Sequence, residues 1–508
     1  MIIKILLRFR SSSYTNRPMT GIILAVAKNG KYCIEKSRQM RLSILVAIVL
    51  CLIGAGIYSI AANNKKEVEA VTAPEQLFVA TDGDDENEGT KEKPLRTIQA
   101  AVDQAAAGTT VYIRKGIYKG GFDVTNSGTK EEPLVIRNYE NEEVVISGEG
   151  QTTDEDAALI NVDSKCYITI QGLTLQDLTA DSPDYAVMGI YVSGNSSYIN
   201  IIQNHIHHIG NTADEGNAHG IAVYGTGKME QIRVMDNIVE ELTLGASEAV
   251  VLNGNIDGFA VTGNTVRHNN NIGIDLIGYE GVAEDPEADY VRNGTVQGNV
   301  VHDNSSYGNP AYGEDYSAGG IYVDGAKNIK IKANTVFRND LGIEATSEHQ
   351  GRYAENILIT ENEVYENNYT GISIGGYDEE RGGTKDSSIT YNVLYKNDTK
   401  DLYGGQLLLQ HDIRDNDISH NVFTASKTGL FISNDFQTNH NTTMNRNVYD
   451  KDKENSWVWK QQEYNDFGSY QQATGQEEDS AYIEVHYMDA SSKDFSLKEG
   501  TTAHAVID

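Results

Sequence analysis

The sequence predicts an all-β protein, folded as a right-handed parallel β-helix with a short N-terminal capping helix. Three observations support this fold: a repeat of about 31 residues, an asparagine at the same position of each repeat, and different patterns at the two ends. The 508 residues include 48 Gly but only 7 Pro, and 39% of them are hydrophobic. Such a composition can bury a core and is not that of a disordered chain.

Each repeat contains a short alternating strand, an Asn, a second short strand, and later a segment such as GIAVYG or GIDLIG. These strands are too short to enclose a core alone, so successive coils must stack to bury their apolar side chains. An Asn at a corner tolerates a left-handed conformation and can hydrogen-bond to its equivalents in neighbouring coils. The repeated residues are Asn204, Asn237, Asn264, Asn299, Asn334, Asn362, Asn392 and Asn421.

The two ends carry the resemblance to a known family. The first end, LFVATDGDDENEGTKEKPLRTIQAAVDQAAAGTTVYIRKGIY, combines a strand, an acidic loop and a short amphipathic helix around Thr97 to Ala106. It resembles the entry of secreted right-handed β-helix proteins of the pectate-lyase-like superfamily, and the tail DFSLKEGTTAHAVID is similar to their last strand. This resemblance covers residues 76–508 and implies the fold. The superfamily includes lyases, hydrolases, epimerases and phage-like adhesins, so it leaves the reaction open.

An apolar segment precedes the predicted β-helix. Leu42 to Ala62 is 21 uncharged residues long, with basic residues before it, which is typical of a signal anchor or of a secretory signal that is cleaved. Both alternatives place the rest of the chain outside the cytoplasm, secreted or anchored to the membrane by this segment alone. The predicted organisation is a cytoplasmic or mis-started segment 1–41, the apolar segment 42–62, a linker 63–75, the β-helix 76–450 and a C-terminal cap 451–508.

Charge and cysteine content exclude several classes of function. The chain has 41 Lys and Arg against 73 Asp and Glu, a formal net charge of −32. A nucleic-acid partner is therefore not expected, because such binding depends on basic residues that neutralise phosphates. Cys166 is the one cysteine after the apolar segment, so no disulfide framework is possible there. We expect a monomer whose partner is a polysaccharide.

The strongest functional signal is the position of a few acidic residues on the coils. Aligning the segments that begin with Gly and an apolar residue places Asp275, Tyr322 and Glu344 in one outward column and Asp324 in the next. From strand spacing, the Cα atoms of Asp275 and Glu344 should lie roughly 10 Å apart, with Asp324 roughly 8 Å from each. Carboxylates so spaced could act as acid and base across a water molecule, or bind Ca²⁺. A solvated acidic face is the alternative interpretation.

Loops that follow these strands add residues to the same region. Tyr rings stack on sugars, Arg pairs with carboxylates, and His transfers protons near neutral pH. The predicted catalytic residues are Asp275, Asp324, Glu344, His349 and Arg381. The predicted substrate-binding residues are Tyr279, Glu280, Tyr322, Glu348, Arg352 and Asp378. The possible calcium ligands are Asp275, Asp324 and Glu344.

Two classes of function remain open, an enzyme and a non-catalytic glycan-binding surface protein. The segment that contains Asp257, Gly258 and Phe259 resembles the family 9 pectate lyases, in which an acidic DGF stretch holds calcium and a Lys three residues after the Phe is the base. Thr262 occupies the position of that Lys here. The leading hypothesis is an extracellular enzyme that cleaves an acidic, uronate-containing polysaccharide by β-elimination. An inverting glycoside hydrolase is the alternative within the enzyme class.

Overall fold

The computed structural model describes residues 75–151 and 154–507. The predicted segments 1–41 and 42–62, and nearly all of the linker 63–75, lie outside the described residues. No helix among the described residues is long and apolar enough to cross a membrane.

The described chain is a right-handed parallel β-helix, as predicted, with three sheets that run along its length. Sheet 1 contains the strands Phe122–Asp123, Ala157–Asp163, Ala186–Ser193, Ile274–Ile277, Gly319–Asp324, Leu341–Thr346, Thr370–Ile374, Leu407–Leu409, Leu430–Ser433, Ser456–Trp459 and Gln462–Tyr464. The last of these pairs in the antiparallel direction. Two long strands, Asn217–Met235 and Val250–Thr262, continue from sheet 1 into sheet 2.

Sheets 2 and 3 form the rest of each coil. Sheet 2 contains Gln76–Val79, Thr110–Ile113, Leu134–Asn138, Cys166–Gln171, Ser197–Ile202, Arg292–Gln297, Lys327–Lys332, Tyr353–Thr360, Gly383–Lys385, Ser388–Thr390, Ile413–Arg414, Asp417–Ser419 and Thr443–Asn445. Sheet 3 contains Gly116–Lys119, Val144–Ser147, Thr174–Gln176, His205–His207, Ile238–Glu240, Thr265–Arg267, Val300–His302, Thr335–Phe337, Glu363–Tyr365, Val393–Tyr395, Val422–Thr424, Val448–Asp450 and Ala481–Ile483. Parallel pairing thus extends past residue 450 to Ile483.

Both ends of the core are covered, and the helix at the first end is the capping helix that the sequence predicts. The capping helix spans Ile98–Gln104, and the Thr97 side chain accepts a hydrogen bond from the Ala100 amide, which fixes its first turn. At the other end, the helix Phe467–Thr474 packs Phe467 and Tyr470 against the core. The remaining elements are the short pair Thr179–Ala180 and Gly210–Asn211, the hairpin Tyr487–Asp489 and Asp494–Leu497, the 3₁₀ turn Ala490–Ser492 and the helix Thr502–Ile507.

A buried asparagine ladder joins the coils at the corner between sheets 2 and 3. Each predicted Asn donates from Nδ2 to Oδ1 of its equivalent in the next coil, at 2.9–3.2 Å, and Asn447 extends the series. Asn447 in turn donates to Glu477, a fully buried carboxyl that also accepts from the Tyr449 hydroxyl at 2.6 Å. Burial raises the pKa of Glu477 to about 7. Glu477 therefore ends the ladder as a cap.

A second ladder, which the sequence analysis did not identify, lies at the corner between sheets 3 and 1. It runs through Asn269, Asn304, Asn339, Asn367, Asn397 and Gln406, again by hydrogen bonds from one amide to the next. The two ladders satisfy buried polar groups at two of the three corners, so those corners keep the same shape from coil to coil. The entry of each strand of sheet 1 is therefore fixed.

Candidate active site

The outward column predicted on sheet 1 is present in the structure. Parallel pairing places Val251 beside Asp275, Asp275 beside Tyr322, and Tyr322 beside Glu344. Ser373 and Leu408 continue the column. Aligning the segment GLFISN in the same way as the others predicts that Phe431 follows Leu408, and this prediction is wrong. Leu408 pairs with Ser433, two residues further along, and Phe431 is fully buried in the core.

The acidic residues of this column are buried, so they do not form the solvated acidic face that was the alternative interpretation of the sequence. Asp275 is 2% exposed, Asp324 3% and Glu344 8%, and Tyr322 is buried as well. Loops that leave sheet 1 fold back over its outward face and remove these carboxyls from water. We call Asp275, Tyr322, Asp324 and Glu344 the floor of the site. Because Tyr322 is buried, its ring does not offer the open sugar-stacking face expected from the sequence.

The loop 278–291 forms one wall of the site, and Asp289 holds it together. The Asp289 carboxylate accepts hydrogen bonds from the Gly281 amide at 2.6 Å and the Ala283 amide at 2.9 Å. Tyr279 lies at the start of this loop and packs close to Gly325, where an added Cβ would be 2.9 Å from the Tyr279 ring. A glycine at position 325, with its positive φ of 69°, allows this approach.

Burial makes the floor carboxyls weak acids. Desolvation, followed by the charge of Glu348, raises the pKa of Glu344 to about 8, and a hydrogen bond with Ser373 offsets part of the shift. Burial also raises the pKa of Asp275 and of Asp324 well above the usual range, and neighbouring carboxylates add to both shifts. Glu344 therefore holds a proton at neutral pH. Elevated carboxyl pKa values are typical of proton donors in catalysis.

Glu348 has the opposite environment to Glu344. Its carboxylate accepts hydrogen bonds from the Tyr322 hydroxyl at 3.2 Å and the Tyr377 hydroxyl at 2.8 Å, and it lies 3.4 Å from Nε of Arg381. The Glu348 amide donates to Asp324 Oδ1 at 2.7 Å, so the same residue links the floor to the surface. Arg381 and the two tyrosine hydroxyls thus fix the position of the Glu348 carboxyl. A buried carboxyl, Glu344, and a part-exposed, hydrogen-bonded one, Glu348, therefore lie in the same site.

The remaining predicted residues lie around the opening of the site. His349 Nε2 is 3.0 Å from Glu280 Oε1, and this contact raises the pKa of His349. The Arg352 guanidinium lies 4.5 Å from the Tyr279 ring centroid and covers one of its faces. The Asp378 carboxylate accepts the Glu380 amide at 2.8 Å and forms the turn that carries Arg381. The structure therefore brings all eleven predicted residues to one face, four in the floor and seven in the surrounding loops.

Three further residues border the floor, and of these the sequence analysis missed Glu248. Glu248 lies directly before sheet 1, and burial raises its pKa to about 8. His219 is buried, which lowers its pKa to about 4, and its Nδ1 donates to the Glu248 carbonyl at 3.0 Å. Tyr312, in the loop 303–318, has a pKa raised to about 12 by burial, and the charges of Glu248, Glu348 and Asp275 contribute. Glu248 precedes the aligned strand segment, so the alignment of those segments could not identify it.

The geometry does not support the predicted calcium ligands as one set. Among the described residues, Asp324 converges with Glu280 and His349, whose ligand atoms all lie within 4.8 Å of one another, and not with Asp275 or Glu344. Calcium prefers oxygen ligands, whereas an imidazole nitrogen suits transition metals. Asp275 Oδ1 is buried without a hydrogen-bond partner among these residues, but it lies outside the converging group. Ca²⁺ therefore does not fit the predicted trio, and no catalytic step is assigned to it.

The segment that resembles the family 9 pectate lyases lies on sheet 2. Asp257 Oδ2 is 3.4 Å from Arg292 Nε, and Asp257 Oδ1 accepts from Asn293 at 2.7 Å, so this carboxylate is already paired. Thr262 lies on the same sheet, beside Met235 and Gln297. The structure thus separates this segment from the floor on sheet 1, and neither residue joins the site.

Comparison with known proteins agrees with the fold. The model of a Pel9A-like, right-handed β-helix region matches residues 77–273. The chain is 56% identical over 474 residues to the uncharacterized protein YwoF of Bacillus subtilis (strain 168), covering 93% of this chain and all of YwoF. This chain belongs to the YwoF family, within the pectate-lyase-like right-handed β-helix proteins.

Enzymes that act on carbohydrates are found in the same superfamily. The chain is 47% identical over 92 residues to the pectate lyase PEL9 of Emericella nidulans, which is 17% of this chain and 22% of that enzyme. It also resembles the crystal structure of the GH136 lacto-N-biosidase of Eubacterium ramulus, with a TM-score of 0.47 and 14% identity over 81% of this chain and 67% of that one. The matched β-helix region ends at residue 273, just before Asp275.

Proposed function

We propose that the protein is an extracellular enzyme that cleaves a polysaccharide by glycoside hydrolysis in the site on sheet 1. The observation that carries this proposal is the pairing of a buried carboxyl, Glu344, with a hydrogen-bonded carboxylate, Glu348. Hydrolysis of a glycosidic bond requires two acidic residues, one that donates a proton to the leaving oxygen and one that accepts a proton from water. Superfamily membership supports a carbohydrate as the substrate.

Glu344 is the proposed general acid. With a pKa of about 8 it is protonated at neutral pH and can give its proton to the oxygen that leaves the sugar. Its burial keeps water away from this proton until the substrate enters. Asp275, two strands away in the same column, is buried as well, and its Oδ1 has no hydrogen-bond partner among the described residues.

Glu348 is the proposed base. Arg381 and the hydroxyls of Tyr322 and Tyr377 hold its carboxylate, and its side chain is still 34% exposed. It can therefore receive a proton from an attacking water molecule that arrives from the solvent side. His349, paired with Glu280 at the opening, is placed to bind the substrate or to exchange protons with solvent.

β-Elimination of a uronate polymer is the second candidate, and the match to a pectate lyase favours it. Elimination needs a base and a cation that neutralises the substrate carboxylate. Among the described residues, no Lys or Arg ion pair is made to Asp275, Asp324 or Glu344, and the basic residues at the opening are paired with Glu348 or stacked on Tyr279. Elimination would therefore have to take its cation from groups that already have partners within the site, which is why hydrolysis is preferred.

The proposal is tested by incubating the protein with a panel of neutral and uronate polysaccharides, each assayed with and without EDTA. Hydrolysis predicts new reducing ends without ultraviolet absorbance, unchanged by EDTA. Products that absorb in the ultraviolet would show elimination, and loss of that signal in EDTA would show a metal requirement. Measurable glycan binding without any product would contradict the enzyme and support a binding protein. Size-exclusion chromatography tests the expected monomer, and fractionation of expressing cells tests the extracellular location.

A further inference from the structure

Three of the five exposed tyrosines among the described residues lie on loops beside the site. Among the described residues, Tyr198, Tyr307, Tyr377, Tyr391 and Tyr403 are each more than a third exposed. Tyr377 already contacts Glu348, and Tyr307 and Tyr403 lie on loops that enter sheet 1 beside the floor. An exposed aromatic ring gains no stabilisation from burial within the protein itself. A group of such rings at one opening therefore indicates a ligand-binding surface.

Tyr307 and Tyr316 form a stacked pair on the loop 303–318. Their ring centroids are 4.8 Å apart at an angle of 23°, and Tyr307 is 49% exposed. Tyr312, between them in sequence, is half-buried and lies within range of the charges of Glu248 and Asp275. One loop therefore carries a tyrosine next to the floor and an exposed tyrosine, Tyr307, that is supported by Tyr316.

Tyr403 lies on a second loop, which approaches the floor through Tyr369. Tyr369 is half-buried, its pKa is raised to about 12 by desolvation, and the charge of Glu344 contributes to that shift. The Tyr369 ring packs on Gly404, where an added Cβ would be 2.7 Å from Cδ2. The neighbouring Tyr403 is 49% exposed, and the Lys400 ammonium in the same loop lies 5.5 Å from the Tyr316 ring centroid. The two tyrosine-bearing loops are therefore adjacent.

The spacing of these loops indicates a long ligand. The loop 303–318 enters the strand Gly319–Asp324, and the loop with Tyr403 enters Leu407–Leu409, three strands further along sheet 1. Three strand spacings correspond to about 14 Å along the helix axis. The pKa of Tyr403 is raised by burial and by the charges of Glu463 and Asp435, so the surroundings of its ring are acidic.

We propose that Tyr307, supported by its stacked partner Tyr316, and Tyr403 form a binding platform for uncharged sugar units of a glycan chain, remote from the bond that is cleaved. Flat aromatic faces stack on the apolar faces of sugar rings, and the acidic surroundings disfavour uronate units. The platform deepens the proposed function and rests on it for the position of the scissile bond. It makes the substrate a neutral polysaccharide of several units.

The test measures binding in a Glu344→Gln background, so that no ligand is consumed. The probes are the hexasaccharides of cellulose, xylan and galactan and, as the charged counterpart, hexagalacturonate, titrated by calorimetry. At least one neutral hexasaccharide should bind more tightly than hexagalacturonate. Tyr307→Ala and Tyr403→Ala should each weaken the binding of that neutral hexasaccharide between about 2-fold and 10-fold.

Tyr391→Ala is the matched control. Tyr391 is 50% exposed and also stacked, on His420 at 4.9 Å, but it lies at the corner between sheets 2 and 3. This variant should bind as tightly as the background protein. The platform is overturned if no neutral hexasaccharide binds, if Tyr307→Ala and Tyr403→Ala bind normally, or if Tyr391→Ala is equally weakened. Tyrosine-dependent binding without any cleavage by the unsubstituted protein would instead reject the proposed reaction and keep the platform.

Discussion

The N-terminal and central coils of sheet 1 have the same inward face and different outward faces. Ile190, Ile221 and Val250 in the first region and Ile321 and Ile343 in the second are all completely buried in one continuous core. The outward residues of the first region form an apolar cluster that includes Met188, Ala222 and Val251. The equivalent outward positions of the central coils hold Asp275, Tyr322 and Glu344.

This difference separates what builds the fold from what builds the site. Inward residues and Asn ladders recur because every coil must stack on its neighbours. Outward residues are free to vary from coil to coil, so a chemical site can be placed on a few coils without changing the scaffold. The matched β-helix region ends at residue 273, so it covers the apolar outward face and not the acidic one.

The largest expected effect is on catalysis in the central coils. Glu344→Gln keeps the size and the neutral state of the buried side chain but removes its proton-donating ability. We expect kcat to fall by about 10²–10⁴-fold with little change in thermal unfolding. The control is Glu363→Gln, a half-buried carboxyl on sheet 3 whose pKa is also raised by burial. Retention of more than a tenth of the activity in Glu344→Gln would reject the assigned proton donor.

The second-largest expected effect is on stability, and it should be equal in the N-terminal and central coils. Ile221→Ala and Ile343→Ala each remove a fully buried inward side chain, one from each region. Each should lower the free energy of unfolding by about 2–5 kcal/mol, measured by urea denaturation. A cost confined to one of the two coils would show that the inward faces are not equivalent.

Protonation of the ladder cap should affect stability in a pH-dependent way. The pKa of Glu477 is about 7 in the folded protein against 4.5 for an ordinary Glu, so the folded state binds this proton more tightly. Stability contributed by the proton is complete below pH 4.5 and is lost as the pH rises to about 7. Glu477→Gln should therefore lose less stability than the unsubstituted protein between pH 5 and 8, by up to about 3 kcal/mol.

Urea denaturation at both pH values measures this difference. Glu248 and Glu344 give the same sign of pH dependence in both proteins, so only the difference between the two proteins reports on Glu477. Identical pH dependence of the two proteins would contradict the cap.

The smallest expected effect is on activity, from a substitution that lies outside the site. Thr262→Lys restores the residue type that serves as base in family 9 pectate lyases, but position 262 lies on sheet 2. We expect no ultraviolet-absorbing product from a uronate polymer. Appearance of such a product would show that sheet 2 carries a second reaction centre.

The sequence predicted only part of what repeats and some of what does not. The first Asn ladder and the outward column from Asp275 to Glu344 follow from periodicity, which stacking enforces in every coil, whereas the capping helix was predicted from the residue pattern at the first end. The second ladder also repeats but was not recognised, and Glu248 lies in a turn where no period constrains it. Burial of the floor was also not predictable, because it depends on loops that fold over sheet 1.

The proton on Glu344 is the central claim, and the pH dependence of kcat/KM on a cleaved polysaccharide tests it most directly. With a pKa of about 8 in the free protein, loss of this proton should make kcat/KM fall about tenfold per pH unit above pH 8. A kcat/KM that stays constant or rises between pH 7 and pH 10 would contradict a general acid at Glu344.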